Sequence, residues 1–212
     1  MLKTKYPQGA ERKLIFATTG RKINSTMLPS DAGCVVDNID TVIAIHAAVS
    51  ENIPSIRRIV TVTGDAVKEP RNFNVRTGTN YSELLEAAGG LVVEPKKIVC
   101  GGPMMGMAIY SLDIPVTKTS SALLCMSKDD VEEFETTACI RCGKCVEACP
   151  SRLVPQKMFQ AAAVQKDMDA FVALNGMECY ECGACAYVCP AKVRLTQAFK
   201  TARRTVMNSR KK

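Results

Sequence analysis

Residues 139–150 read Cys-Ile-Arg-Cys-Gly-Lys-Cys-Val-Glu-Ala-Cys-Pro, and residues 179–190 read Cys-Tyr-Glu-Cys-Gly-Ala-Cys-Ala-Tyr-Val-Cys-Pro. Both are copies of C-x₂-C-G-x-C-x₃-C-P, which is typical of bacterial proteins that bind two [4Fe–4S] clusters. A loop that closes on a cluster needs backbone free of Cβ clashes, which Gly143 and Gly183 provide. Pro150 and Pro190 end the short helical turn that follows each loop. We call residues 139–150 the first run and residues 179–190 the second run.

The pattern predicts how the eight cysteines are shared. In proteins with two such clusters, the first three cysteines of a run bind one cluster and the fourth binds the other. The first centre is therefore predicted to use Cys139, Cys142, Cys145 and Cys189. The second centre is predicted to use Cys179, Cys182, Cys185 and Cys149.

Zinc and disulfides are the alternatives to clusters. Four-cysteine zinc sites usually pair two separated C-x₂-C knuckles, whereas here three cysteines fall within seven residues and the pattern is duplicated. Disulfides need an oxidising compartment, and the start of the chain does not resemble an export signal. The sequence therefore favours two clusters in a reducing compartment.

The composition is that of a globular protein. Of 212 residues, 47% are apolar and 23% charged, and tryptophan is absent, so the core must be aliphatic with Met and Cys. No apolar run approaches the roughly 18 residues that span a bilayer. The formal charge of +7 falls to about +3 if two clusters of charge −2 are bound.

The C-terminal stretch Ala191–Lys212 is basic, with eight Lys and Arg and no acidic residue. It predicts an amphipathic helix over 192–207. Two interpretations stay open: a solvated helix end, or a surface including Arg203, Arg204, Arg210, Lys211 and Lys212 that docks onto anionic lipid or an acidic subunit. Nucleic acid is not expected, because no aromatics or reading motif accompany the charge.

Residues 1–57 look like the end of a domain. We predict short strands at Lys13–Ala17 and Cys34–Val36, and a helix that begins at Asp37 or Asn38. His46 lies on the apolar face of that helix and is expected to be packed rather than a ligand. Two strands and a helix are too few to bury a core, which suggests that the rest of the domain is missing or in another chain.

Residues 58–102 have a β-α-β rhythm that predicts a β-grasp-like module. The strands are Ile59–Thr63, Phe73–Arg76 and Lys97–Cys100, and Asn80 with Glu83 forms a capping-box-like start for the intervening helix. The Gly-rich stretch Gly101–Gly106 lacks phosphate-binding spacing and is expected to be a turn. Three cysteines without ligand spacing are expected to be buried thiols: Cys34, Cys100 and Cys125.

The remaining segments are predicted to be helical. Ser127–Glu135 is an acidic helix before the first run, and helices over 156–166 and 168–174 lie between the runs. This helical connector resembles the α-helical ferredoxin class. Four residues are expected to shield the clusters: Ile140, Val146, Tyr180 and Val188.

The order of these pieces resembles the C-terminal half of the C subunit of the Rnf complex, the ion-translocating ferredoxin:NAD⁺ oxidoreductase, and that family is related to the complex I flavin subunit. Besides the two runs, the motifs that carry the resemblance are Lys5–Glu11 (KYPQGAE), Val60–Val67 (VTVTGDAV), Gly101–Gly106 (GGPMMG) and Pro115–Lys118 (PVTK). The resemblance implies an α+β protein with three parts. These are the tail of a flavin-type α/β domain (1–57), a soluble-ligand-binding β-grasp (SLBB) module (58–125) and a helical two-cluster ferredoxin domain (126–212).

The resemblance also implies a cofactor site that this sequence contains only in part. Residues that would line FMN or NADH are Tyr6, Gly9, Glu11, Asn38 and Thr41. Without the preceding half they are not expected to form that site alone, so we interpret the chain as a truncated or split subunit that relays electrons. The implied partners are other subunits of a membrane redox complex and ferredoxin-type proteins. The implied location is peripheral, at the cytoplasmic face of the bacterial inner membrane.

Two other functions fit the same features. One is a cobalamin reductase of bacterial microcompartments, which shares this architecture. The other is a non-catalytic protein whose SLBB-like module binds a partner while the clusters are structural. A redox titration distinguishes the latter, because structural clusters need not cycle reversibly.

Overall fold

The computed structural model describes residues 1–209, which form two compact units. Residues 1–36 pack with residues 134–209, and we call this the cysteine unit. Residues 37–133 form the sheet unit. The predicted domain limits stay predictions, because a compact unit of the fold and a domain of the sequence need not coincide. Within residues 1–209, no helix has both the length and the apolar character to cross a membrane.

The sheet unit contains one five-stranded sheet and the helix α3 (Tyr81–Ala87). The strands are β1 (Arg57–Thr63), β2 (Arg71–Arg76), β3 (Lys97–Cys100), β4 (Met107–Ile109) and β5 (Ala122–Met126). Their order is β2-β1-β5-β3-β4, with β1 and β5 parallel at the centre and the other pairs antiparallel. This is the sheet of a β-grasp, so the predicted fold is confirmed.

The core of the sheet unit lies between α3 and one face of the sheet. Val60 and Val62 alternate inward on β1, and Leu123 and Cys125 do so on β5, as the period of two of a half-buried strand requires. The capping box of α3 is confirmed, since the Asn80 backbone N–H donates to the Glu83 carboxylate at 3.0 Å.

Two of the three isolated thiols depart from the prediction. Cys125 is fully buried as expected, but Cys34 and Cys100 are only partly buried. Cys100 stands at the end of β3, where its sulfur lies 3.1 Å from the Tyr81 hydroxyl. Burial, followed by this hydrogen bond, raises the pKa of Tyr81 to about 12. The stretch 101–106 is a turn, in which the Gly106 N–H donates to the Gly102 carbonyl at 2.8 Å.

Helix α2 (Ile39–Glu51) lies at the surface of the sheet unit. Asn38 caps it, accepting from the Asp40 N–H at 3.0 Å, as predicted. The helix buries none of its residues, and its Asp40 pairs with Arg58 at 2.8 Å. The prediction that His46 is packed is therefore wrong: the ring is exposed and lies 3.4 Å from the Ser50 hydroxyl.

The sheet unit ends in a helix shorter than the acidic one predicted over Ser127–Glu135. Helix α4 covers only Asp130–Glu133. Ser127 does not cap it; its backbone N–H instead donates to the Asp65 carboxylate at 2.8 Å. Residues 127–129 between β5 and α4 are therefore irregular rather than helical.

The cysteine unit repeats one motif at a spacing of 40 residues. Helices α5 (Lys144–Glu147) and α8 (Ala184–Tyr187) lie within the runs, and each run is followed by a longer helix, α6 (Pro155–Phe159) or α9 (Leu195–Ser209). Helix α6 continues as a π-helical turn over Gln160–Gln165, and α7 (Met168–Ala173) and a 3₁₀ turn (Gly176–Glu178) complete the connector. The helical connector is thus confirmed.

A core of twelve buried residues lies under both runs. The fully buried side chains include Met158, Phe171 and Phe199. Gly176 packs so closely on the Phe171 ring that an added Cβ would come within 2.4 Å of it. The two runs are therefore fixed on one packed helical base.

Two strands predicted in the N-terminal segment are wrong. Lys13–Ala17 lies inside α1 (Glu11–Thr19), which ends at Gly20 in the left-handed conformation, and Cys34–Val36 is irregular after a 3₁₀ turn at Pro29–Ala32. The apolar run that indicated a strand at Leu14-Ile15-Phe16 buries only Ile15. A single buried position has no period, so it cannot distinguish strand from helix.

The basic C-terminal helix is confirmed as α9, but its cations are not equivalent. Arg203 forms an ion pair with Glu181 of the second run, and both side chains are about three-quarters buried. Arg204 is exposed. The other predicted docking residues, Arg210, Lys211 and Lys212, lie outside the described residues.

Candidate iron–sulfur centres

Four cysteines line one open cavity of about 310 Å³ in the cysteine unit. They are Cys139, Cys142, Cys145 and Cys189. Ile140 and Arg141 also line this cavity, and the Ile140 side chain is 66% exposed. Cys139 and Cys142 are themselves exposed. The cavity brings together the residues predicted for the first centre, three from the first run and one from the second.

The other four cysteines line a second, narrower cavity of about 20 Å³. They are Cys149, Cys179, Cys182 and Cys185. Here Cys182 and Cys185 are only 7% and 9% exposed, and Phe199 closes the inner wall. This cavity gathers the residues predicted for the second centre, but in a more buried setting.

The loops that present the first three cysteines of each run have matching backbones. Arg141 and Glu181, which precede the second cysteine, have φ values of 56° and 55°. Gly143 and Gly183 follow at 81° and 83° and cap α5 and α8. Two left-handed residues within three positions curl the chain around a point, and glycine adopts this conformation without steric cost.

The donor set and its surroundings fit a sulfur-rich metal group. Thiolates are soft ligands that select zinc or iron–sulfur clusters, and each cavity gathers four of them. Backbone N–H groups of Leu153 and Glu181 point at the sulfurs of Cys149 and Cys179 at 3.4 Å, as is usual around clusters. Among residues 1–209, no three Cys, His, Asp or Glu side chains lie close enough to hold a single metal ion.

Burial disfavours free thiolates in the second cavity. It raises the pKa of Cys179 to about 11, against a hydrogen bond from Glu181 that lowers it, and burial raises the pKa of Cys185 to about 12. Without a metal both groups are thiols at pH 7. Because ligands must be deprotonated, loading of this cavity releases protons.

The residues predicted to shield the clusters differ in exposure. Val146, Tyr180 and Val188 are partly buried. Ile140 lines the first cavity and is two-thirds exposed. A shielding role for these four residues stays a prediction.

The residues predicted for a flavin site are divided between the two units. Tyr6, Gly9 and Glu11 belong to the cysteine unit, where Glu11 begins α1. Asn38 and Thr41 belong to the sheet unit, at the start of α2. The Tyr6 hydroxyl donates to the Cys182 carbonyl at 2.5 Å. A flavin role for these residues stays a prediction.

Sequence reasoning missed the side chains that fasten the N-terminal segment (residues 1–36) to residues in and beside the two runs, around the second cavity. Arg12 forms an ion pair with Glu178 and lies 4.4 Å from the centre of the Tyr180 ring. Lys13 donates to the Pro150 carbonyl at 2.5 Å. Glu178 immediately precedes Cys179, but nothing in the sequence indicates a partner 166 residues away.

Family comparisons agree with this architecture. The model of the Nuo51 FMN-binding domain matches residues 1–47, that of the SLBB domain matches residues 59–108, and that of the 4Fe-4S dicluster domain matches residues 138–193. The chain is therefore an α+β protein with a 4Fe-4S dicluster domain, an SLBB domain and a segment that matches the Nuo51 FMN-binding domain.

Curated relatives narrow the class to one family. The chain is 48% identical over 167 residues to the C subunit of the proton-translocating ferredoxin:NAD(+) oxidoreductase complex of Clostridium ljungdahlii, covering 79% of this chain and 36% of the relative. It is 42% identical over 212 residues to the Na(+)-translocating counterpart of Acetobacterium woodii, covering all of this chain and 47% of the relative. The C subunit of the ion-translocating oxidoreductase complex of Rhodobacter capsulatus is 41% identical over 152 residues, which are 72% of this chain and 29% of the relative. The chain belongs to the family of Rnf complex C subunits and spans less than half the length of these relatives.

Proposed function

We propose that this chain is the electron-relay part of an ion-translocating ferredoxin:NAD⁺ oxidoreductase complex. The observation that carries the proposal is the grouping of eight cysteines into two cavities of four, each with three cysteines from one run and one from the other. That grouping is what a pair of adjacent clusters with exchanged fourth ligands requires. The names of the relatives support the proposed complex.

The proposed ligands of the first centre are Cys139, Cys142, Cys145 and Cys189, and those of the second centre are Cys149, Cys179, Cys182 and Cys185. Each bound cluster supplies a site that accepts and returns one electron. The protein positions and stabilises the ligands. Left-handed loop residues orient the thiolates, backbone N–H groups stabilise their charge, and the helical base beneath holds the two loops at a fixed separation.

FMN and NADH are proposed as cofactor and substrate of the whole subunit. The match of residues 1–47 to the Nuo51 FMN-binding domain supports this. In that proposal Tyr6, Gly9, Glu11, Asn38 and Thr41 contribute to a flavin and nicotinamide site whose remaining residues lie elsewhere in the whole subunit.

The proposed partners are the other subunits of the complex and a ferredoxin-type protein. The relatives are named as members of translocating complexes, which supports a peripheral position on membrane subunits. We propose the cytoplasmic face of the bacterial inner membrane, because cysteine clusters of this kind suit a reducing compartment. Exposed cations such as Arg204 on α9 suit an anionic surface there.

A redox titration of the anaerobically reconstituted chain tests this function. A relay predicts two components that are reduced and reoxidised reversibly, each by one electron. A binding protein with structural clusters predicts absorbance that dithionite does not bleach reversibly. The second outcome would overturn the relay and favour a binding role for the SLBB domain.

A further inference from the structure

We infer that the two centres act in a fixed order, with the second centre on the flavin side and the first centre facing external redox partners. The inference rests on the proposed relay function and adds the position of each centre within it. It also assigns a role to Arg12 and Glu178, which are not cluster ligands: their charges set the potential of the second centre.

The N-terminal segment, which falls within the region matched by the Nuo51 FMN-binding domain, is fastened to the second centre. Tyr6 donates to the carbonyl of Cys182, Lys13 donates to the carbonyl of Pro150 next to Cys149, and Arg12 pairs with Glu178 next to Cys179. The N-terminal segment thus contacts three of the four proposed ligands of the second centre, either directly or through the adjacent residue.

A second contact strengthens the same attachment. The Ser25 backbone N–H and hydroxyl both donate to Glu178, at 3.0 and 2.6 Å. Within residues 1–209, every side-chain hydrogen bond and ion pair that joins the N-terminal segment to residues 134–209 ends at Pro150, Glu178 or Cys182. The N-terminal segment is therefore attached beside the second centre, and none of these contacts reaches a proposed ligand of the first centre.

The first centre is open where the second is covered. Cys139 and Cys142 are exposed, and so are Ile140, Arg141 and Lys144 around them. Electron transfer weakens steeply with distance, so a separate protein exchanges electrons fastest with a centre whose ligands reach the surface. Short-lived redox encounters also use small interfaces, and an apolar tip flanked by two cations offers one.

The Arg12–Glu178 pair makes the assignment measurable. The pair is largely buried, with side chains 13% and 32% exposed, so its charges are screened less than those at a free surface. Reduction adds negative charge to a centre. Loss of Arg12 leaves Glu178 uncompensated and lowers the potential of the nearby centre, whereas loss of Glu178 leaves Arg12 uncompensated and raises it.

The test is an anaerobic redox titration of the full chain, followed by electron paramagnetic resonance. Arg12→Gln should lower the potential of one signal, Glu178→Gln should raise the potential of the same signal, and Arg12→Lys should restore the parent value. Arg141→Gln, the matched change in the first run, should lower the potential of the other signal. The Cys139→Ala/Cys142→Ala variant removes two proposed ligands of the first centre and so assigns the signals. It should keep only the signal whose potential shifts when Arg12 is replaced.

The exposure of each centre to solvent can be measured independently of its potential. A soluble paramagnetic chelate, dysprosium–EDTA, should speed the spin relaxation of the Arg141-sensitive signal more than that of the Arg12-sensitive signal.

The inference is overturned if Arg12→Gln and Glu178→Gln move the Arg141-sensitive signal, shift potentials in the same direction, or shift nothing. Equal relaxation of both signals by the chelate also overturns it. In each of these cases two reversible signals remain, so the proposed relay stands. If the parent chain gives no reversible signals, both the relay and the order of its centres are wrong.

Discussion

Truncation of Phe199 should separate the role of the helical base from that of the ligands. The ring is 1% exposed, lines the second cavity and lies 6.2 Å from the Phe171 ring centre. Phe→Ala changes in cores cost about 3–5 kcal/mol, and loss of an aromatic pair accounts for roughly 0.5–1.5 kcal/mol of such a cost. Phe199→Ala should therefore lower the folding equilibrium constant on the order of 10²- to 10⁴-fold.

The assay is anaerobic guanidinium unfolding of the reconstituted chain, followed by helical circular dichroism and by cluster absorbance. A loss of this size lowers the midpoint by roughly 1 M, and the second centre should be lost first. Phe16→Ala is the matched control, since Phe16 lies on α1 with its ring 45% exposed. If Phe199→Ala lowers the midpoint no more than Phe16→Ala, the two runs do not depend on a shared base.

Three further outcomes are expected. Gly64→Ala should destabilise the sheet unit by about 3 kcal/mol or more, because Gly64 has φ of 121° and a Cβ there would lie 1.9 Å from the Cys125 carbonyl oxygen. The control Gly78→Ala, at φ of 98° with open space around it, should cost only about 1–2 kcal/mol of backbone strain. Equal denaturation midpoints for the two variants would contradict the argument. Burial raises the pKa of Asp129, but two hydrogen bonds from Lys97 at 2.8 and 2.9 Å, the Lys97 charge and the backbone N–H groups of Val131 and Glu132 together outweigh burial and hold that pKa below its ordinary value. Asp129→Asn should therefore shift the denaturation midpoint by a constant amount from pH 8 to about pH 5 and by less only as the pH falls below about 4. A shift that already shrinks between pH 7 and 5 would contradict this. Purified alone, the 212-residue chain with reconstituted clusters should be bleached by dithionite but not by NADH, since only its residues 1–47 match the FMN-binding domain; bleaching by NADH would show that the chain forms a complete flavin site.

The features that the sequence predicts well are those encoded at short range. The spacing of cysteines within each run determines which loops form, and the β-branched strand Ile59–Thr63 and the Asn80–Glu83 capping box carry their own local signals. Each of these elements is present in the structure. Grouping of the cysteines into two sets of four follows from the duplicated pattern, and the two cavities are lined in agreement with it.

The features that the sequence predicts poorly depend on distant contacts. Helix α1 contains an apolar triplet that resembles a strand, but only Ile15 of the three is buried, so the triplet has no period that distinguishes strand from helix. The contact of Tyr6 with Cys182 joins residues 176 positions apart. His46 lies on the apolar face of α2, but that face is not buried. Whether a helix face is buried depends on contacts with other segments, which the sequence of the helix alone does not specify. Differences in burial between the two centres arise in the same way, because the runs share their cysteine, glycine and proline positions and differ in the elements packed around them.

The exchange of fourth ligands between the two runs is the central claim, and two double variants test it directly. We predict about eight iron and eight sulfide per reconstituted parent chain. Cys149→Ala/Cys179→Ala removes two ligands of the second centre and should leave about four iron per chain. Cys139→Ala/Cys149→Ala removes one ligand from each centre and should leave fewer than that. If the second pair of changes instead spares about four iron and the first pair removes both clusters, each run binds its own cluster and the shared arrangement is wrong.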